Sequence, residues 1–504
     1  MKRRLFLKSL GVAATLSAID VQAMSAGNTN GRPNIVLLMG DDHGWEETGY
    51  NGHPYVQTPV LDEMAAQGLR FDHFYSASPV CSPTRGSVMT GRHPNRYGTF
   101  SANWSLRPEE ISIASVLSDA GYACGHFGKW HLGPVKESSP TNPGAMGFDE
   151  WLSHDNFFEM NPSFSRNGGP PEKIEGESSA ICIEEAIKFI DQAVEKNQNY
   201  FVVVWFGSPH EPYSGDEEDL AQYDDLPEKY NEKLVRLTSM ETGSGVKRPL
   251  NEVLQERYAE ITAMDRSIGR LRKHLSQQGL RDNTLLWYCG DNGTPGGVNV
   301  ASPCRGQKGQ VYEGGIRVPG IIEWPKKNLS PSVIKMNAVT SDIFPTLCDL
   351  AGIPLPDRPL DGITLKPAMG GGLDQRPAPI CFWNYETARE SLRGKPYIPE
   401  ELQEGTTPLV KLMAGKPTRT FRNYHHPNIT EEDYAGDRAI LDKQYKLVLI
   451  NERRKELFDL HADPAEKINI IEQKPEIAEK LEKYLREWQK SVLVSLTGKD
   501  YLVK

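Results

Sequence analysis

The sequence predicts an α/β fold: a large, mixed but mostly parallel sheet sandwiched by helices, followed by a smaller C-terminal α+β domain with a short antiparallel sheet and a packing helix. Three observations predict it. Several segments are continuous apolar runs, the pattern of strands buried on both faces. These runs alternate with amphipathic helical stretches, and such crossovers join parallel strands. From about Gly370 the rhythm changes to a Gly370-Gly371-Gly372 joint, a polar, Pro-rich stretch and a pair of strands around a turn. The 504 residues suffice for two or three domains, placed at 27–372 and 373–504 behind an N-terminal address segment.

Met1–Ala26 has a basic start (Lys2, Arg3, Arg4), a short apolar stretch and then small residues, the anatomy of an export signal. Arg3-Arg4-Leu5-Phe6-Leu7-Lys8 resembles the bacterial twin-arginine signal, with cleavage after Ala23 or Ala26. The expected location is therefore periplasmic or secreted. The apolar run is shorter than the ~20 residues of a span, so no stable membrane insertion is expected after its removal.

Asn34–Met39 (NIVLLM) reads as the first buried strand. Thr58-Pro59 opens a helix, with Thr58 as N-cap and Gly68 past its end. A helix over Ile111–Ala120 stops at Gly121, and a short strand Tyr122–Phe127 follows. A helix over Ser178–Lys196 leads to the strand Tyr200–Phe206 (YFVVVWF), and a helix over Glu252–Gln278 leads to Thr284–Cys289 (TLLWYC). Gly320–Trp324 is a further strand. In the tail, Ala439–Ile450 reads as two strands around a turn, and Glu476–Ser491 as a helix with Ile477, Leu481, Leu485 and Trp488 on one stripe. No internal repeats are visible.

Composition narrows the function. With 57 Lys+Arg against 67 Asp+Glu, the net charge of −10 argues against a general nucleic-acid binder. An anionic small substrate stays possible, because a local basic pocket outweighs screened distant charge. Apolar residues at 38% and charged residues at 25% fit a globular protein. Seven cysteines are no disulfide framework, and the odd number leaves at least one thiol unpaired.

The chemistry gathers at strand ends, where open α/β sheets bind ligands. Asn34–Met39 runs into Asp41-Asp42, Tyr122–Phe127 into Lys129 and His131, Tyr200–Phe206 into His210, and Thr284–Cys289 into Asp291-Asn292. Three carboxylates and an amide converging on one spot make an all-oxygen site suited to Ca²⁺ or Mg²⁺. An isolated Asp-Asn-Gly is ordinarily a turn; the shared position after four strands is what argues for a site.

The most specific segment is Cys81-Ser82-Pro83-Thr84-Arg85-Gly86-Ser87-Val88-Met89-Thr90-Gly91-Arg92. Pro83 is placed to start a helix and Gly91 to end it, so Cys81 sits at a helix N-terminus, where an anion is favoured. A free cysteine is usually a buried structural residue. This segment, however, resembles the sulfatase signature C-x-P-x-R followed by T-G-R. Gly128-Lys129-Trp130-His131-Leu132-Gly133, Ser208-Pro209-His210, Gly290-Asp291-Asn292-Gly293, Arg305-Gly306-Gln307-Lys308-Gly309, Glu313 to Pro319, and Glu456 to Leu460 with Asp463-Pro464 are similar to further segments of that family. One departure stands out: Gly44-Trp45-Glu46-Glu47 replaces the G-x-G-D that often follows the aspartate pair.

The resemblance implies that Cys81 is oxidised to formylglycine (3-oxoalanine) by a formylglycine-generating maturation enzyme. It implies that Asp41, Asp42, Asp291 and Asn292 bind one Ca²⁺, with an oxygen of modified Cys81 completing the shell. Arg85, Lys129 and Lys308 would neutralise charge on the sulfuryl group, His210 with Lys308 would protonate the departing alcohol, and His131 would act as base in releasing sulfate. His43 and His126 lack such a context and read as structural. The implied substrate is a sulfated saccharide. Alternatives are a phosphate or phosphonate monoester hydrolase of the same superfamily, a thiol enzyme with unmodified Cys81, and a non-catalytic binder of sulfated glycans. The basic stretch Arg389–His426 is either a solvated loop or a substrate grip, with Arg419, Arg422, His425 and His426 as candidate contacts.

Overall fold

The computed structural model describes residues 31–238, 244–325, 331–385, 394–410, 415–451 and 453–501. The export-signal segment, and Arg389, Arg393 and Lys411 of the basic stretch, lie outside the described residues.

Ten strands form the main sheet: β1 (Asn34–Gly40), β2 (Leu69–Phe71), β3 (Ala123–Lys129), β4 (Glu150–His154), β5 (Ser163–Arg166), β6 (Pro171–Lys173), β7 (Tyr200–Trp205), β8 (Thr284–Gly290), β9 (Gly320–Glu323) and β10 (Ser332–Ile334). Their order is β10-β2-β9-β8-β1-β7-β3-β4-β5-β6. The five central strands, β8-β1-β7-β3-β4, are all parallel. Antiparallel pairs appear only toward the edges, β8 with β9, β9 with β2, β4 with β5 and β5 with β6. The expected mixed, mostly parallel sheet is thus observed.

Alternate side chains of β1 serve two cores, as a strand's two-residue period requires. Ile35, Leu37 and Met39 pack with α2 (Cys81–Thr90), α3 (Ile113–Asp119) and α6 (Ile343–Ala351) on one face. Val36 and Leu38 pack with α1 (Pro59–Gln67), α4 (Ser178–Glu195) and α5 (Leu250–Gln277) on the other. Both faces are covered, which is why these strands read as unbroken apolar runs. One local expectation fails. Thr58 makes no side-chain cap for α1. Asp265 of α5 reaches across instead and accepts from Val60 N and Leu61 N at 2.9 and 2.8 Å.

Register aligns the strand ends. Gly40 pairs with Gly290, Met39 with Trp205, Gly128 with Trp205 and Lys129 with His154. Asp291 N donates to Gly40 O and Asp41 N to Ser208 O, carrying the ladder one step beyond the strands. Gly128 has φ +107°, and a Cβ there would lie 2.0 Å from Trp205 O, so only glycine permits this close approach beside Lys129.

The C-terminal sheet contains β11 (Ile380–Tyr385), β12 (Gly436–Asp442), β13 (Tyr445–Ile450) and β14 (Arg454–Asp459), paired antiparallel in that order. The ends of the stretch read as polar loop, from Asn384 to Asp437, therefore belong to strands. One face packs Ile440, Leu447 and Leu457 against Leu481 and Leu485 of α7 (Pro475–Leu496). The other packs Phe382, Ala439 and Phe458 against Tyr75 and Ile316 of the first domain. All seven cysteines are free thiols. Among the described residues no helix is long and apolar enough to cross a membrane.

Candidate active site

Four of the central parallel strands end at one rim and deliver the polar residues together. Asp41 and Asp42 follow β1, Lys129 ends β3 with His131 just beyond, His210 lies past β7, and Asp291-Asn292 follow β8. Cys81 is the first residue of α2, whose N-cap Val80 offers no side-chain bond, and Gly91 closes the helix with φ +70°. Arg85, one turn on, is buried under the same rim. Asp42 and His131 both hold left-handed backbone (φ 63° and 56°), an uncommon conformation that clusters at functional sites.

The contacts form one network. Arg85 donates to Asp291 Oδ2 from Nη2 (2.8 Å) and Nε (3.1 Å), and to Lys129 O at 3.2 Å. Lys129 Nζ reaches Asp41 Oδ2 at 2.5 Å. Lys308 Nζ lies 2.6 Å from Oδ1 and 2.7 Å from Oδ2 of Asp42. Asp291 Oδ1 accepts from Asp42 N at 2.9 Å, and Asn292 Nδ2 donates to Asp42 Oδ1 at 2.8 Å. Cys81 Sγ is 3.9 Å from Asp42 Oδ1. His210 Nε2 lies 3.3 Å from Lys308 Nζ and 3.6 Å from Asp42 Oδ2.

Electrostatics follow from burial and pairing. Burial raises the Asp41 carboxyl, but Lys129, His210 and Arg85 together outweigh it and hold it well below the usual range. Asp42 is likewise lowered, with Lys308 and His210 overcoming burial. Asp291 is pushed up to about 7 by burial and by its neighbour Asp41. Burial pushes the Cys81 thiol up to about 12 and the His210 imidazole down to about 3.

The donor set fits a hard divalent cation. Asp41 Oδ1 and Asn292 Oδ1 are buried without a hydrogen-bond partner, and both are oxygens of the kind that Ca²⁺ binds. Asp41, Asp42, Cys81 and His210 each bring a potential ligand atom within 4.8 Å of the others. A thiol and an imidazole suit such an ion poorly, so the carboxylates and the amide are the better ligands.

Of the candidate contacts in the basic stretch, Arg419 comes close: its guanidinium lies over Phe157, whose ring stacks on His210. Arg422 lies over Trp104, His425 packs on Tyr397, and buried His426 packs on Phe100. His43 bonds Tyr288 and Glu47 O, and His126 bonds Ser153 between Trp130 and Trp205, both as structural residues.

Two contributors escaped the sequence reading. Asn103 N donates to His131 Nε2 at 3.2 Å. Arg257 of α5 is fully buried, pairs with Glu47, and donates to Asp42 O (2.7 Å) and Pro209 O, bracing both loops. Glu47 belongs to the segment that departs from the family pattern, and here it balances that arginine. A sequence signal for Arg257 existed: it interrupts the stripe Leu250, Leu254, Ile261, Met264, Ile268 at the position expected for an apolar residue.

Comparison with known proteins agrees with this geometry. The Sulfatase family model matches residues 33–353. An ulvan-active sulfatase of Formosa agariphila is 29% identical over 450 residues, covering 87% of this chain and 77% of that protein. The N-acetylgalactosamine-6-sulfatase of Mus musculus is 31% identical over 414 residues, covering 74% of this chain and 72% of that protein. Among solved structures, Ps i-CgsB in complex with k-i-k-neocarrahexaose has the same fold, with a TM-score of 0.71 at 23% identity, covering 91% of this chain and 92% of that one. A family match across most of the chain, laid over strand ends that gather its signature residues, places the protein: it belongs to the sulfatase family and is a sulfatase.

Proposed function

We propose that this sulfatase removes sulfate from a sulfated carbohydrate, with residues 27–372 as the catalytic domain and 373–504 as the C-terminal subdomain. The observation that carries the reading is the charge balance around Cys81. Asp41, Asp42 and Asp291 face Arg85, Lys129 and Lys308, three negative groups against three positive ones, all in contact and nearly all buried. A divalent cation held by Asp41, Asp42, Asp291 and Asn292 leaves the site with two positive charges. That matches a sulfate monoester anion plus the charge that develops on its leaving oxygen.

When bound, Ca²⁺ would supply electrostatic stabilisation of the sulfuryl oxygens. Formylglycine at residue 81 would supply, in its hydrated form, a hydroxyl nucleophile. The unmodified thiol is ill suited to that task, since burial keeps it protonated far above neutral pH. Arg85, Lys129 and Lys308 bind and neutralise the sulfuryl group. His210 Nδ1 lies 2.5 Å from Glu211 O; a carbonyl only accepts, so Nδ1 carries the proton and Nε2 faces Lys308. Lys308 and His210 together then pass a proton to the departing sugar oxygen. His131, buried beside Lys129 and Arg85 and kept neutral by burial, takes up the proton that must leave residue 81 as sulfate is released.

Cys81 is only 2% exposed, so its oxidation by a maturation enzyme must precede folding of α2. The twin-arginine-like segment supports export to the periplasm or beyond. The names of the relatives, an ulvan-active and an N-acetylgalactosamine-6-sulfatase, support a polysaccharide or glycosaminoglycan substrate.

Sulfate release from defined sulfated oligosaccharides, measured beside the matching phosphate and phosphonate esters, tests the reading. Preference for a sulfated sugar is expected; faster turnover of the phosphorus esters would overturn it.

A further inference from the structure

His210 is held by a stack that sulfuryl transfer itself does not require. The ring of Phe157 lies parallel to the imidazole, with centroids 4.6 Å apart and 12° between planes. The Arg419 guanidinium lies over the same Phe157 ring, 4.6 Å from its centroid. His210 and Arg419 both lie against the Phe157 ring, so the ring is engaged by protein groups.

The groups of this cluster are anchored. Phe157 lies three residues past β4, and Asp155 in that link accepts from Thr406 N (2.5 Å) and Thr407 N (2.7 Å) of the C-terminal subdomain. Gly405 N donates to Arg419 O at 2.6 Å, so the segment that binds Asp155 also holds the Arg419 backbone. His210 in turn is tied through Nδ1 to Glu211 O. One bonded nitrogen and one covered face leave the imidazole a single orientation, with Nε2 toward Lys308.

We infer that Phe157, clamped by Arg419 of the C-terminal subdomain, is a positioning residue for His210 and thereby sets the enzyme's preference for basic leaving groups such as sugar alcohols. The inference rests on the proposed role of His210 as leaving-group acid. A sugar alkoxide cannot depart without its proton, whereas a nitrophenolate can, so a misaligned acid penalises only the first.

The test compares kcat on one sugar sulfate and one nitrophenyl sulfate for wild type, Phe157→Ala, Phe157→Leu, Phe157→Tyr, Arg419→Ala and His210→Ala. Phe157→Ala should lower sugar-sulfate kcat by roughly 10–100-fold, the scale of a misplaced catalytic group, and nitrophenyl-sulfate kcat by less than about threefold. Phe157→Leu, which keeps apolar bulk without a flat ring, should show the same split, and Phe157→Tyr should restore the wild-type ratio. Arg419→Ala should shift the ratio in the same direction, through kcat rather than KM. The nitrophenyl-sulfate rate reports an intact fold. Equal losses on both substrates for the Phe157 variants, or a rise in sugar KM alone, overturn the inference when His210→Ala loses the sugar sulfate selectively. Equal losses for His210→Ala overturn the acid assignment, and the inference with it.

Discussion

Arg257→Lys isolates what one buried guanidinium does for two functional loops. The arginine donates to both oxygens of Glu47 at 2.7 and 2.6 Å, to Asp42 O at 2.7 Å, to Pro209 O, and to Tyr213 Oη at 3.3 Å. Lysine retains the charge and one point of contact with Glu47, but has no planar fork to reach the two carbonyls. Each buried acceptor left unsatisfied costs about 1–3 kcal/mol, so the pair predicts a loss of about 2–6 kcal/mol in unfolding free energy. Arg257→Met strands the Glu47 carboxylate as well and should be worse by a further ~3–5 kcal/mol. Asp42 O and Pro209 O flank a proposed metal ligand and the proposed acid, so Ca²⁺ affinity should fall in the lysine variant. Urea unfolding of the chelated protein gives the stability difference, and titration calorimetry gives the affinity. A lysine variant within about 0.5 kcal/mol of wild type, the range of neutral surface changes, with unaltered Ca²⁺ binding would refute the reasoning.

Chelation should abolish activity, and Ca²⁺ should restore it better than Zn²⁺, because the ligands are hard oxygens. Asp291→Ala should weaken Ca²⁺ binding in calorimetry by at least the roughly 10–100-fold that even outer-shell partners cost. Asp361 ties α7 to the catalytic domain, accepting from Arg96 Nε and His93 N at 2.6 Å and from Trp488 Nε1 at 2.8 Å. Asp361→Asn should therefore cost about 3–5 kcal/mol at neutral pH in denaturant unfolding. Although burial opposes ionisation, Arg96 holds the Asp361 carboxyl far below its ordinary 3.8. Its contribution is thus present above that value and lost as pH falls below it, so the gap between wild type and Asp361→Asn should close in acid.

The central strands were legible because burial on both faces demands an unbroken apolar run, as in Asn34–Gly40 and Tyr200–Trp205. Edge strands such as Pro171–Lys173 are short and solvent-facing, so nothing in their composition separates them from loop. Ile380–Tyr385 was apolar enough to read, but it runs straight into a polar stretch that masked it. At the site, residues placed by strand ends were visible, since position after a strand is itself the signal. Asn103, Phe157 and Arg419 were not assigned their contacts. They come from loops that meet His131 and His210 only through tertiary packing, Asn103 and Phe157 directly and Arg419 by way of Phe157, and no local pattern encodes that meeting.

The most direct test is the mass of the peptide carrying residue 81, taken from active enzyme made in a host that has a formylglycine-generating system. The chemistry proposed here requires an aldehyde in place of the Cys81 thiol, with specific activity rising in proportion to the converted fraction and lost in Cys81→Ala. Full activity from protein whose residue 81 is an unmodified thiol, or from Cys81→Ala, would contradict it.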